Sequence, residues 1–86
     1  MDNIDRILAI RQRLEGHFQP DSLTILDESD QHIGHAHFGG GHFRVKITSQ
    51  RFLGLSRVEI HRRIFDTLSD LMEIDIHALA IEASAI

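Results

Sequence analysis

The sequence predicts an α+β domain with the element order helix, strand, strand, helix, strand, built as a three-stranded mixed sheet with helices on one face. Three observations predict it. Residues His42 to Ser49 (HFRVKITS) alternate apolar and polar, the period of a half-buried strand. Ser56-Arg57-Val58-Glu59 is a capping box that opens a run with helical spacing. An apolar run, Ile76 to Glu82 (IHALAIE), follows that helix. The last three elements therefore form a strand–helix–strand crossover, which makes its two strands parallel if they share a sheet.

Taken in order, the first element is a helix from about Asn3 to Glu15. Ile4, Ile7, Leu8, Arg11 and Leu14 follow helical spacing, Asn3 or Asp2 can cap the start, and Gly16 is a plausible stop. Phe18-Gln19-Pro20-Asp21 reads as a turn, and Leu23 to Glu28 (LTILDE) as the first strand. The second strand points Phe43, Val45 and Ile47 one way and Arg44, Lys46 and Thr48 the other. Ser49 to Leu55 is a connector. The second helix is predicted to run from Ser56 to about Met72, with Val58, Phe65, Leu68 and Met72 as its apolar face and Ile64 and Leu71 beside them. Glu73-Ile74-Asp75 turns the chain into the third strand. The product has the outline of a KH-like module, without the GxxG loop that clamps a nucleic-acid backbone.

Eighty-six residues, 42% hydrophobic and 26% charged, make one globular domain spanning 1–86. No apolar run approaches the roughly 20 residues that cross a bilayer. The opening MDNIDRILAI has acids ahead of its apolar residues, unlike a secretory signal, so the expected location is the cytoplasm. There is no cysteine, which excludes disulfides, a thiol nucleophile and thiolate ligands of the chain's own. Neither a serine with an evident base nor a pair of carboxylates stands out, so no enzyme chemistry is predicted.

Histidine is the unusual component. Net charge is −4 with the seven histidines neutral and +3 with all of them charged. Four lie in DQHIGHAHFGGGHF, between the first two strands: His32, His35, His37 and His42. That connection is far longer than a tight hairpin needs, and long loops in compact domains tend to be functional or disordered. No HExxH or CxxC pattern frames these histidines, and spacing alone does not define a zinc site. His42 reads as structure at the strand's edge. His77 shares a strand face with Leu79 and Ile81 by parity, a position that suits a structural histidine better than a ligand. His61 falls near the apolar face of the second helix, either partly buried or set to contact a phosphate beside Arg62 and Arg63. Charge is uneven too: residues 44–63 carry six of the nine Lys and Arg, opposed there only by Glu59, a segment of about +5 that suits nucleic acid, an acidic partner or solvent.

The blocks FQPDSLTILDES (18–29), HFRVKITSQRFLGLSRVEIHRR (42–63) and IHALAI (76–81), with the histidine loop between the first two, resemble the BolA family. The resemblance implies the class II KH-like BolA fold. It also implies an interaction protein that pairs with a monothiol glutaredoxin and shares a [2Fe–2S] cluster, to which the glutaredoxin supplies a cysteine and glutathione a thiolate. The BolA side supplies the histidine of the His-Ala-Leu block, here His77, and a loop residue. His35, in Gly34-His35-Ala36, matches that loop position, with His32 its rival. The chain alone is then expected to hold no cluster and to be a monomer or weak homodimer. Two imidazoles offer half a ligand shell, and only their neutral form coordinates, so occupancy should weaken as pH falls through the histidine range. The family also includes DNA-binding transcriptional regulators. For that alternative the residues are Arg57, His61, Arg62 and Arg63, with Ile60 standing where the family commonly has the first arginine of Arg-His-Arg.

Overall fold

A computed structural model describes residues 2–29 and 40–86. The elements are α1 (Asn3–Phe18), β1 (Ser22–Asp27), β2 (Gly41–Thr48), a 3-10 turn (Gln50–Phe52), α2 (Arg57–Thr67), α3 (Ser69–Met72) and β3 (Ile76–Ser84). The strands form one sheet in the order β1-β2-β3, with β1 antiparallel and β3 parallel to the central β2. This is the predicted α+β arrangement, with the helices on one face of a mixed sheet.

Local chemistry explains most boundaries. The Asp2 carboxylate caps α1 by accepting from the Asp5 N–H. Gly16 does not stop the helix. It continues to Phe18 and ends on Gln19, whose left-handed φ of 43° lets its N–H reach the Glu15 carbonyl. At the head of α2 both halves of the capping box form, Ser56 Oγ accepting from the Glu59 N–H and Glu59 Oε1 from the Ser56 N–H, each at 3.1 Å.

The core joins Ile10, Leu14 and Phe18 of α1 to Phe43, Val45 and Ile47 of β2, with Phe52, Ile60, Ile64, Leu68, Leu71 and Ile76. Two predicted helix faces are corrected by this packing. On α1, Ile4 is 78% and Leu8 52% exposed, while Ile7 and Leu14 of the predicted face pack with Ile10 and Phe18 into the core. On α2, Ile60 and Ile64 are buried, and Val58 (63% exposed) and Phe65 turn outward. The helix also does not run unbroken to Met72. Leu68, fully buried at φ −102° and ψ 10°, separates α2 from α3 and shares its N–H between the carbonyls of Ile64 and Phe65. Thr67 Oγ1 donates back to the Arg63 carbonyl at 2.8 Å just before the break, a bond that bends helices. The re-aimed α3 then buries Leu71.

Ser49 is fully buried where several elements meet. Its hydroxyl donates to the Phe18 carbonyl at the end of α1 and accepts from the Arg51 N–H, and its own N–H donates to the Ser84 carbonyl of β3. One residue thus holds the C-terminal ends of α1, β2 and β3 in register.

Candidate functional site

β3 does not pair with β2 in a uniform register. Gly41 lies opposite Ile76, but His42 lies opposite Ala78, so His77 is an extra residue on β3. A bulge of this kind re-aims a side chain. Parity had placed His77 on one face with Leu79 and Ile81. Those two pack against the core, whereas His77 is exposed. Its ring lies against His42, with centroids 4.9 Å apart and planes inclined at 51°. His42 is structural at the strand's end, as its sequence position suggests: it is the second residue of the central strand and is 5% exposed.

Gly40 completes the arrangement. A Cβ on Gly40 would fall 2.9 Å from the His77 backbone nitrogen and 3.0 Å from its Cβ, closer than real Cβ atoms approach. The chain runs so near His77 only because residue 40 has no side chain.

A polar chain ties the entrance of β3 to the base of the histidine loop. Arg6 Nε meets Asp75 Oδ1 at 3.4 Å, and Arg6 Nη1 donates to Asn3 Oδ1 at 3.0 Å. Asn3 Nδ2 donates to Asp27 Oδ2 and to Ser29 Oγ, which also accepts from the His42 N–H at 3.0 Å. The Asp75 carbonyl accepts from the Gly41 N–H. Burial alone would raise the Asp27 carboxyl's pKa, but hydrogen bonds from Ser29 and Asn3 outweigh it and hold the group ionised below its usual range. Ser29 and Gly40 carry no signal of their own in the sequence, where Asn3 reads only as a cap candidate and His42 only as strand-edge structure. Their roles depend on contacts across 13 to 37 positions of chain. His32, His35 and His37 lie outside the described residues, and among the described residues no group of three or more His, Asp or Glu stands ready to hold a metal.

The second candidate site divides in space. Arg57 and the half-buried His61 line a groove of about 540 Å³ with Lys46, Glu82 and the hydroxyl residues of the strand ends. Arg63 lines a different groove with His17, Arg51 and Asp66, and Arg62 lines neither. The basic segment is also less basic than its sequence. Arg44 bridges Glu28 at 2.9 Å and Glu82 at 3.1 Å, acids from outside the segment that hold its guanidinium's pKa above the usual value. Among the described residues no carboxylate stands within ion-pair distance of Arg57, Arg62 or Arg63. No described helix is long and apolar enough to cross a membrane.

Comparison with known proteins agrees with this architecture. The family model described as BolA-like protein matches residues 14–86. The DNA-binding transcriptional regulator BolA of Vibrio cholerae is 42% identical over 73 residues, covering 85% of this chain and 68% of that protein. SufE-like protein 1 of Arabidopsis thaliana is 40% identical over 85 residues, of which this chain spans only 23%. The solved BolA domain of SufE1 from Arabidopsis thaliana has a TM-score of 0.82 at 40% identity, covering 92% of this chain and 90% of that one. The solution structure of BolA1 from Mus musculus has a TM-score of 0.74 at 39% identity, over 90% of this chain and 62% of that one. With the fold, the three sequence blocks and the family model in agreement, the chain belongs to the BolA family.

Proposed function

We propose that this chain is a non-catalytic adaptor of the cytoplasm that docks on a monothiol glutaredoxin and shares a [2Fe–2S] cluster with it, in iron–sulfur handling or iron-linked regulation. The observation that carries this reading is the display of His77: a bulge lifts an imidazole out of the core face and exposes it beside the base of a histidine-rich loop. The donor chemistry fits. A chain with no cysteine can give such a cluster imidazoles only, and two of them on one iron leave the thiolate positions to a partner. His77 would hold one position and His35, or else His32, the second. When bound, the cluster supplies a redox-active iron pair. The chain's own part is to present neutral imidazole, through a ring fixed by its neighbours.

The test is anaerobic reconstitution of the chain with a monothiol glutaredoxin, glutathione and iron, read by visible absorption and circular dichroism. His77→Ala should abolish the spectrum of the mixed complex, and His35→Ala and His32→Ala should show which loop histidine matters. A spectrum unchanged in all three variants refutes the ligand set, and no complex with or without iron refutes the reading.

A second reading, DNA binding, is favoured by Arg57, Arg62 and Arg63 of α2, which have no carboxylate within ion-pair distance among the described residues, and by the name of the Vibrio relative. Binding through Arg57, Arg62 and Arg63 predicts a log–log salt slope near −0.9 per phosphate neutralised. No binding at low salt removes it.

A further inference from the structure

We infer that His42 is a positioning residue for His77, and that Gly40 provides the clearance for it. This deepens the cluster-sharing reading and rests on it for its purpose, though its geometry stands alone. The two histidines differ sharply in exposure. His42 is 5% exposed and is held in the central strand from the β1 side, the Glu28 N–H donating to its carbonyl and its own N–H to Ser29 Oγ. His77 is exposed and lies on the bulge, the one register irregularity in the pairing of β2 with β3. An exposed side chain at a bulge is free to sample several rotamers unless something rigid stands beside it.

The ring of His42 is that rigid neighbour. The centroid separation of 4.9 Å and the 51° inclination put the rings in the tilted contact that aromatic pairs favour. The residue paired with His42 across the strands is Ala78, whose small side chain leaves the His77 ring room to lie over His42. A Cβ on Gly40 would lie 2.9 Å from the His77 nitrogen and 3.0 Å from its Cβ, so a larger residue at position 40 pushes the two segments apart. The His77 side chain is thus bounded by a buried ring and by a close backbone. The burial of His42 assigns it to support: a residue almost wholly covered in the central strand cannot itself face a docked protein as His77 does. A ligand whose neighbours fix its ring orientation binds metal about 10- to 100-fold better than one left loose.

The experiment has two arms. In the first, the free protein is labelled with 13C and 15N, and three-bond couplings and ring NOEs report the χ1 rotamer of His77. Wild type and His42→Phe, which keeps a ring but no ligating nitrogen, should show one rotamer. His42→Ala and Gly40→Ala should show averaged couplings and lost NOEs. In the second arm, each variant is reconstituted with a monothiol glutaredoxin, glutathione and iron, and the rate of cluster loss is measured. His42→Ala should lose cluster about 10-fold faster, with His42→Phe restoring retention to within about threefold of wild type. Unchanged His77 couplings in His42→Ala overturn the inference. So does a His42→Phe variant that holds one rotamer yet assembles no cluster, because His42 is then a ligand. If wild type itself assembles no cluster, the proposed function fails, and the couplings still decide whether His42 positions His77.

Discussion

Replacing Ser49 by alanine should be the most damaging single-atom deletion in the chain outside the candidate site. The side chain is fully buried, and its hydroxyl makes two hydrogen bonds, donating to the Phe18 carbonyl at 2.5 Å and accepting from the Arg51 N–H at 3.1 Å. Each intramolecular bond of this type is worth about 1 kcal/mol net, and a buried partner left unsatisfied adds about 1–3 kcal/mol. The carbonyl of Phe18 is such a partner, because it ends α1 and belongs to a residue only 6% exposed. A loss of about 3–5 kcal/mol follows, against a total stability of about 4–13 kcal/mol for a chain of this length. Urea unfolding should show a lower midpoint with an unchanged slope, and the melting temperature should fall by about 12 °C or more. Ser22→Ala is the control. Its hydroxyl lies 2.6 Å from Thr48 Oγ1, but the pair is exposed, so the loss should stay within about 0.5 kcal/mol. If Ser49→Ala costs no more than Ser22→Ala, burial is not what gives the Ser49 bonds their weight, and the argument fails.

Two further outcomes follow from the helices. Gly16 sits inside α1, and a Cβ there would meet nothing within 4 Å, so Gly16→Ala should raise stability by about 0.5–1 kcal/mol in thermal or urea unfolding. A loss of stability instead would show that the helix does not pass through residue 16. The Glu59 carboxyl is held below its ordinary range, chiefly by the backbone N–H of Ser56 and then by the Ser56 side chain. A depressed folded value means that its contribution is present above the unfolded carboxylate range and is lost as pH falls through the lower folded value. The stability difference between wild type and Glu59→Gln should therefore shrink as pH is lowered from about 6 to about 3. A difference that stays flat over that window would mean the carboxylate charge contributes nothing at the cap.

The elements legible in the sequence were those whose signal is local. The alternation of Phe43, Val45 and Ile47 with Arg44, Lys46 and Thr48 carries the burial of β2, because a strand's period is two and the central strand tolerates no slip. The capping box at Ser56 is four residues long and forms as written. The helix faces were less legible, for a reason of geometry. Val58 and Phe65 form one apolar stripe on α2, Ile60 and Ile64 another, and residues two apart differ by about 200° around the axis. Local spacing accepts either stripe. Packing against the core selects the stripe of Ile60 and Ile64, and that choice is a property of the tertiary fold.

The candidate site lies furthest from local signals, and this explains why parity misplaced His77. Counting by twos from Leu79 and Ile81 assumes an unbroken ladder. The ladder is broken by one residue where Gly41 and His42 pair with Ile76 and Ala78, and that single slip carries His77 off the core face. The slip accompanies a close approach between Gly40 and His77, 37 positions apart, which no periodicity encodes. Resemblance to the BolA family pointed to His77 without supplying this geometry, and the bulge supplies it without reference to the family. The same reasoning reduces the weight of the basic segment. Its +5 is a linear count, and Arg44 leaves it for Glu28 and Glu82 once the strands assemble. What assembly removes from the phosphate-binding reading it leaves untouched at the other end of the sheet, where the exposed imidazole of His77 stands on a buried ring. A surface built for phosphate would gather its cations, and here Arg57 and Arg63 are directed to separate grooves. That split of the basic charge between two grooves supports the cluster-sharing proposal over the phosphate-binding one.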